Sequence, residues 1–325
     1  MITRRMALQA TLAAAAYSQQ SIAASGPYPY KPITLIVPFA AGNVTDGVAR
    51  LVGDSLAKTL GQAVVIDNRV GASGMIGMSA IKRGATDGYT LGLSAIGPMA
   101  LNPALYKNLS YDPLRDYRAI SIIYQGPMFL LVDARSELKS VQDVLQLARK
   151  SPAPLQYTTP GVGSSQHLTA ELFASSAGVK LQHIPSKGSP QAATMLLGGL
   201  VPLLMESATP AQSLISSGQM RPLAISTPER AHNYPSVPTF AEAGLKDVSS
   251  FGWLVVVAPA NTPQEPVERI SQALKKVMTQ ADISKALESQ GAQATWMDPQ
   301  ASTEFVRAEQ QKWGQLIRKL QLSLE

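Results

Sequence analysis

The stretch Ile33-Thr-Leu-Ile-Val-Pro-Phe-Ala-Ala-Gly-Asn-Val-Thr-Asp46 decides the fold. Ile33–Val37 is a short apolar run closed by Pro38, the pattern of a buried strand. A small-residue turn follows, and then Thr45–Leu60 repeats apolar residues at helical spacing. Val48, Leu51, Val52, Leu56 and Leu60 share one face. Asp46 stands in the first turn, where a carboxylate favours the positive helix end. Strand, tight turn and helix in that order make one half of a βαβ unit.

The same alternation runs outward along the chain. Val64–Ile66 and Tyr89–Leu93 read as strands, separated by a glycine-rich turn and short helix from Gly71 to Gly77. Ile120–Tyr124 and Phe129–Val132 read as two further strands. Ser140–Lys150, Ser164–Ala177 and Pro190–Leu197 read as helices. Between and after them lie short strands at Gln156–Thr158, Leu181–Ile184, Leu203–Met205, Leu223–Ser226 and Phe251–Val257. Beyond these the pattern is helical only: Pro266–Thr279, Ile283–Gln290 and Pro299–Leu320. Phe305, Trp313, Leu316, Ile317 and Leu320 share a face of the last helix. Such alternation predicts an α/β architecture with mostly parallel sheets. The expected arrangement is two lobes joined by two crossings, near 121–127 and 249–254. Lobe 1 is 26–124 plus 253–325, and lobe 2 is 125–252.

Composition narrows the function. The chain has 325 residues, 45% hydrophobic and 15% charged, with no cysteine. It has apolar material for two cores and too little charge for disorder. Without cysteine there are no disulfides, thiolate metal sites, iron–sulfur clusters or cysteine nucleophile. The net charge of +6 has no basic cluster to mark a nucleic-acid face. Arg4 and Arg5, an apolar run from Met6 to Tyr17 and the small residues Ser21–Ser25 form a secretory signal peptide over 1–25. The expected product is soluble and exported.

Catalytic patterns are sparse. The histidines at 167, 183 and 232 lack zinc-site spacing, and His183 reads as a structural strand residue. Ser164 and Ser165 do not satisfy the nucleophile elbow. Gly161-Val-Gly163 lacks the third glycine of a dinucleotide fingerprint, and no Walker lysine follows a glycine-rich loop. No catalytic residue, metal ligand or cofactor is therefore expected. Anion-binding geometry fits better. Pro38–Asp46 and Thr158-Thr-Pro-Gly-Val-Gly-Ser-Ser-Gln-His167 each lead from a strand through small residues into a helix. Small residues admit a ligand to the backbone, and the helix start offers unpaired N–H groups. Such turns are also ordinary connections in α/β proteins, and geometry alone leaves both readings open.

These residues also carry a resemblance. Lys31-Pro-Ile-Thr-Leu-Ile-Val-Pro-Phe39, Asn68-Arg-Val-Gly-Ala-Ser-Gly-Met-Ile-Gly77, Asp87-Gly-Tyr-Thr-Leu91, Asn102-Pro-Ala-Leu-Tyr106 and Tyr111-Asp-Pro113 lie in the first part of the chain. Gly161-Val-Gly-Ser-Ser-Gln-His-Leu168, His183-Ile-Pro-Ser-Lys-Gly-Ser189, Leu197-Gly-Gly199, Val237-Pro-Thr239, Glu242-Ala-Gly-Leu245 and Ala258-Pro-Ala260 follow. In that order they resemble the Bug (Bordetella uptake gene) family, receptors of tripartite tricarboxylate transporters. The resemblance implies a type II periplasmic-binding-protein fold with two hinged lobes. It also implies a small carboxylate ligand held by backbone amides and ordered waters, and integral-membrane transporter components as partners. A monomer is the family expectation.

Carried over by position, the resemblance assigns ligand contacts to Phe39, Ala40, Ala41, Gly42, Asn43 and Thr45 in the first loop. It adds Ser94, Ala95, Ile96 and Gly97 at a strand end. The second loop supplies Gly161, Gly163, Ser164, Ser165 and His167, and Ser186, Lys187 and Ser207 complete the set. Where members have Pro-Phe-Pro-Pro-Gly-Gly, this chain has Ala40, Ala41 and Asn43. Ile96 replaces a common serine, Ser186 a common tyrosine, and Glu206-Ser207 an Asp-Asn pair. Together these changes point to a bulkier or more apolar acid, aromatic or a longer dicarboxylate. Lys187 and Arg50 are the basic residues nearest the loops, with a helix-terminal charge for Lys187 and a surface or interlobe ion pair for Arg50 as the plain alternatives. Arg69 and Asp116 read as structural. Two other outputs share these features: a sensor input to a membrane signalling partner, and a secreted enzyme acting on a similar acid.

Overall fold

The computed structural model describes residues 26–324. The signal-peptide expectation falls on residues outside that range. Among the described residues no helix is long and apolar enough to cross a membrane.

The opening stretch folds as its pattern dictates. β1 is Ile33–Val37 and α1 is Val44–Leu60. Asn43 caps α1, its Oδ1 accepting the Asp46 N–H at 2.9 Å, and Gly61 ends the helix in the left-handed region at φ 69°. Val48, Val52, Leu56 and Leu60 are buried, and Leu51 packs against the same cluster. β2 (Val64–Asn68) and β3 (Thr90–Ala95) both pair parallel with β1. Between them lies α2, Met75–Lys82. A π-turn over Gly97–Leu101 runs into the short helix α3, Asn102–Leu105.

Where the sequence suggests two strands there is one. β4 runs unbroken from Tyr117 to Asp133. Pro127 lacks an N–H and so suggests a break. It sits instead where the ladder changes partner. Up to Pro127, β4 pairs with β9 (Phe251–Pro259), and from Met128 it pairs with β7 (Leu203–Ser207). There the Met128 N–H goes to Ser226 Oγ at 2.9 Å. β4 is thus one of the two crossings, and it belongs to both lobes.

The second half repeats the first. α4 (Val141–Lys150), β5 (Leu155–Thr159), α5 (Ser165–Ala177), β6 (Leu181–Pro185) and α6 (Ser189–Leu197) alternate as expected. β5 pairs parallel with β6 and β7. After β7 comes α7, Ala208–Ser216, a helix the sequence reading omits, and then β8, Met220–Ile225. The strand order is β2-β1-β3-β9-β4-β7-β5-β6, with β8 also on β4. Parallel pairs lie toward the edges. β4 and β9 bring the antiparallel ones, because these crossing strands enter the lobes against the direction of the βαβ units.

Three helices close the chain: α8 (Gln264–Met278), α9 (Ala281–Glu288) and α10 (Pro299–Lys319). The expectation that this region adds no strand needs one correction. β10, Gln293–Ala294, pairs with Gln125 and Tyr124 of β4, and two residues are too short to show a period. The predicted face of α10 is the packed one: Trp313, Leu316 and Ile317 are buried, with Phe305 and Leu320 beside them. Each lobe therefore has an apolar layer on both faces of its sheet.

Candidate functional site

The ends of β1, β3, β5 and β7 converge on one cleft of about 670 Å3 between the lobes. Its floor is the crossing strands. Tyr124, Gly126 and Met128 of β4 face it, while Gln125 and Pro127 line a separate cavity of about 420 Å3 behind. That alternation is the two-residue period of a strand. The front cleft holds the helix starts.

The first loop contributes Phe39, Gly42, Asn43, Val44 and Thr45. Its shape is set from beneath by Asp46. The carboxylate accepts the Gly42 N–H at 2.8 Å, Arg50 Nε at 3.0 Å and Asn68 Nδ2 at 2.9 Å. Asn68 also donates to the Phe39 carbonyl. The Arg50 guanidinium foremost holds the Asp46 carboxyl down at about 2. The pair cancels as a charge, so Asp46 does not repel an anion from the loop above it. Arg50 is thus the ion-pair residue of the plain alternative. Ala40 and Ala41 are exposed and do not line the cleft.

The second loop contributes Ser164, Ser165 and Gln166. Ser164 caps α5 by accepting the His167 N–H at 3.1 Å and donates to the Gly161 carbonyl at 2.8 Å. Gly161 is therefore a support of the loop and does not line the cleft. Gly163, at φ 72°, lines an adjoining cavity with Leu105, Tyr106 and Leu324. His167 turns inward and is buried. Its Nδ1 accepts the Gly163 N–H at 3.1 Å, and its ring stacks on His183 at 4.1 Å. Burial pushes both histidines down to about 4, so neither is a cation near neutral pH.

At the end of β3, Ala95, Ile96 and Gly97 form a wall. Ser94 is fully buried, its hydroxyl on Met78 Sδ. Ser207 lines the opposite wall and bonds Gln166 and Glu206. Ser186 and Lys187 do not line the cleft. The Ser186 hydroxyl faces the Thr159 and Gly188 carbonyls, and Lys187 is exposed.

The structure thus brings together Phe39, Gly42, Asn43, Thr45, Ala95, Ile96, Gly97, Ser164, Ser165 and Ser207. It adds residues the sequence reading misses. Tyr124, Gly126, Met128, Gly252, Trp253 and Leu254 come from the crossings, Ser189 and Pro190 from α6, and Thr209 and Pro210 from α7. The strand alternation through 124–128 was a usable signal for the first of these. Among the described residues no group of three His, Asp or Glu is placed to hold a metal. Chemically, the cleft offers two capped helix starts, hydroxyls, the two side-chain amides of Asn43 and Gln166, and apolar walls. Such a cleft can hold an anion through dipoles and hydrogen bonds, and no Lys or Arg lines it among the described residues.

Known proteins resemble this chain over most of its length. The family model described as "Tripartite tricarboxylate transporter family receptor" matches residues 48–322. Protein BugT of Bordetella pertussis is 33% identical over 293 residues, covering 90% of each chain. Among solved structures, Rpa4515 of R. palustris with adipate is 33% identical and superposes with a TM-score of 0.80, over 91% of this chain and 100% of its own. MatC of Rhodopseudomonas palustris with bound malate is 27% identical, with a TM-score of 0.73, over 89% of this chain and 100% of its own. The chain has the two-lobed periplasmic-binding-protein fold and belongs to the tripartite tricarboxylate transporter receptor family.

Proposed function

We propose that this protein is a periplasmic solute-binding receptor that captures a small carboxylate in the interlobe cleft and presents it to integral-membrane components of a tripartite tricarboxylate transporter. The observation that carries the reading is the placement of both capped helix starts, at Asn43 and Ser164, on one cleft. Each start directs N–H groups and a positive dipole end at the same space. The adipate and malate named for the two solved relatives support the ligand class. Export through a signal peptide over 1–25 belongs to the same reading.

In this reading the lobes are 26–124 plus 253–325 and 125–252, turning about β4 and the start of β9. The first loop and the strand end 95–97 grip from lobe 1, and the second loop and Ser207 from lobe 2. Ser186 bonds the Thr159 carbonyl ahead of the second loop, and the Lys187 N–H bonds Gln191 in α6, so both support the site from outside the cleft. Ile96 makes one wall apolar, and Ser207 is small. Both favour an acid bulkier or more apolar than an amino acid, either aromatic or a longer dicarboxylate. The protein delivers its ligand unchanged.

Thermal unfolding against a panel of acids tests this. The panel spans C4–C6 dicarboxylates, citrate, acidic amino acids, nicotinate and aromatic mono- and dicarboxylates. A ligand at 100 times its dissociation constant stabilises the fold by about 2.7 kcal/mol. A selective rise in midpoint for one of the longer or aromatic acids is expected. No rise with any acid contradicts the receptor reading.

A further inference from the structure

Beside the cleft lies a carboxyl group with one oxygen left over. Glu206, near the end of β7, is only 2% exposed. Its Oε1 accepts the Ser207 N–H at 2.8 Å, the Ser207 hydroxyl at 3.1 Å and the Gln166 amide at 3.1 Å. Its Oε2 is buried and has no partner. Glu206 also lines a side cavity of about 160 Å3 whose walls include Leu204, Ala193, Leu214 and Met220. Ser189, Pro190 and Pro210 line both this cavity and the main cleft, so the two adjoin.

An unpartnered buried oxygen costs about 1–3 kcal/mol, more when charged. No cation relieves it. α6 and α7 carry no charged residue, nor does β4 over Met128–Leu131. On α5, His167 and Glu171 turn toward Tyr157 and His183. On β8, Arg221 bonds the carbonyls of Ser136 and Leu138. Lys187 is exposed. The neighbours of the carboxyl are hydrogen-bond donors only, Ser189, Ser207 and Gln166, and burial pushes it up from the usual carboxylate range. Burial of this kind favours the protonated form, which seeks an acceptor.

We propose that Glu206 Oε2 is a ligand contact: it shares one proton with the far carboxylate of a dicarboxylic acid whose apolar arm lies in the side cavity. This rests on the receptor reading above, in which the helix starts hold the near carboxylate. A volume of 160 Å3 is about five water-sized units, room for a short carbon arm. Two carboxyls in contact do not both ionise, so they bind with one proton between them. Where free Glu206 is ionised, capture of the diacid takes a proton up. Where it is already protonated, capture takes none. His167 and His183, held near 4, stay neutral throughout.

Titration calorimetry reads this out with three probes of one chain length: adipate, hexanoate and 6-aminohexanoate. Each is measured from about pH 6.5 to 9 in two buffers of different ionisation enthalpy. Adipate is expected to bind at least tenfold tighter than the other two. Above the pH at which free Glu206 ionises, adipate affinity is expected to fall toward tenfold per pH unit, with proton uptake rising toward one. Glu206→Gln is expected to abolish the uptake, and Glu206→Leu to lose at least tenfold in adipate affinity. Thermal unfolding of both variants checks that they fold. Adipate binding as tightly to Glu206→Leu as to the native protein, or 6-aminohexanoate binding more tightly, overturns the inference. So does another acid of the panel binding while adipate does not, and that result leaves the receptor reading standing. No acid binding at all overturns both.

Discussion

Gly163 gives its backbone N–H to Nδ1 of His167, four residues on, at 3.1 Å. The side chain that looked like a ligand contact thus acts on the loop from inside. It fixes Nδ1 as the acceptor and leaves the proton on Nε2. The consequence appears in acid. The unfolded histidine takes up a proton near pH 6.5, and the folded one only near 4. Stability is therefore full above about pH 6.5 and falls by up to about 1.4 kcal/mol per pH unit down to 4. His183 adds a fall in the same direction. Denaturant unfolding at pH 7.5 and pH 5 measures it, and His167→Phe reduces the slope. Equal stability at the two pH values contradicts the assignment.

Asp46 works at lower pH. Its folded carboxyl titrates near 2, against about 3.9 unfolded. Its contribution is complete above about 3.9 and disappears as pH falls through 2. Asp46→Asn breaks the bond to Arg50 and weakens the support of Gly42. A loss of about 1–3 kcal/mol at pH 7 is expected. The chosen acid should also bind more weakly, read by the same calorimetry.

Glu309 ties a crossing strand to the last helix. Its Oε2 accepts both Trp253 Nε1 at 3.0 Å and Trp313 Nε1 at 2.9 Å, and Lys312 reaches its other oxygen at 3.1 Å. Both indoles are buried. Glu309→Ala leaves two buried donors unpaired, for an expected loss of about 2–5 kcal/mol. Glu309→Gln keeps an acceptor and should lose distinctly less. Thermal unfolding of the two variants separates the hydrogen bonds from simple packing.

Gly77 lets α2 lie against the turn after β1. A Cβ there stands 2.6 Å from Pro38 Cα and 2.8 Å from the Arg69 carbonyl, both backbone. Neither atom moves without shifting the first loop. Gly77→Ala is expected to cost about 1–3 kcal/mol. Gly47→Ala meets nothing within 4 Å, serves as the control and should be neutral or slightly stabilising.

The sequence is most informative where structure is local. β1, α1 and their turn follow from a strand run, an Asn cap and a helical stripe. α7 was hidden because Thr209-Pro210 resembles a loop. Pro210 sits in the first turn of that helix, where its missing N–H has no intrahelical partner to lose. β4 looked like two strands because Pro127 falls where its partners change. That same change makes Tyr124 and Met128 part of the cleft floor, a role set by long-range pairing. The inward turn of His167 on α5 likewise depends on His183, sixteen residues away on β6.

The central claim is that both helix starts grip one carboxylate ligand. A crystal structure of the protein with the most stabilising acid of the panel tests it most directly. The account predicts acid oxygens within hydrogen-bonding distance of the loop at Asn43–Thr45 and of the loop at Ser164–Gln166, with the ligand inside the cleft. An acid seated in the cavity behind β4, or touching only one of the two loops, contradicts it.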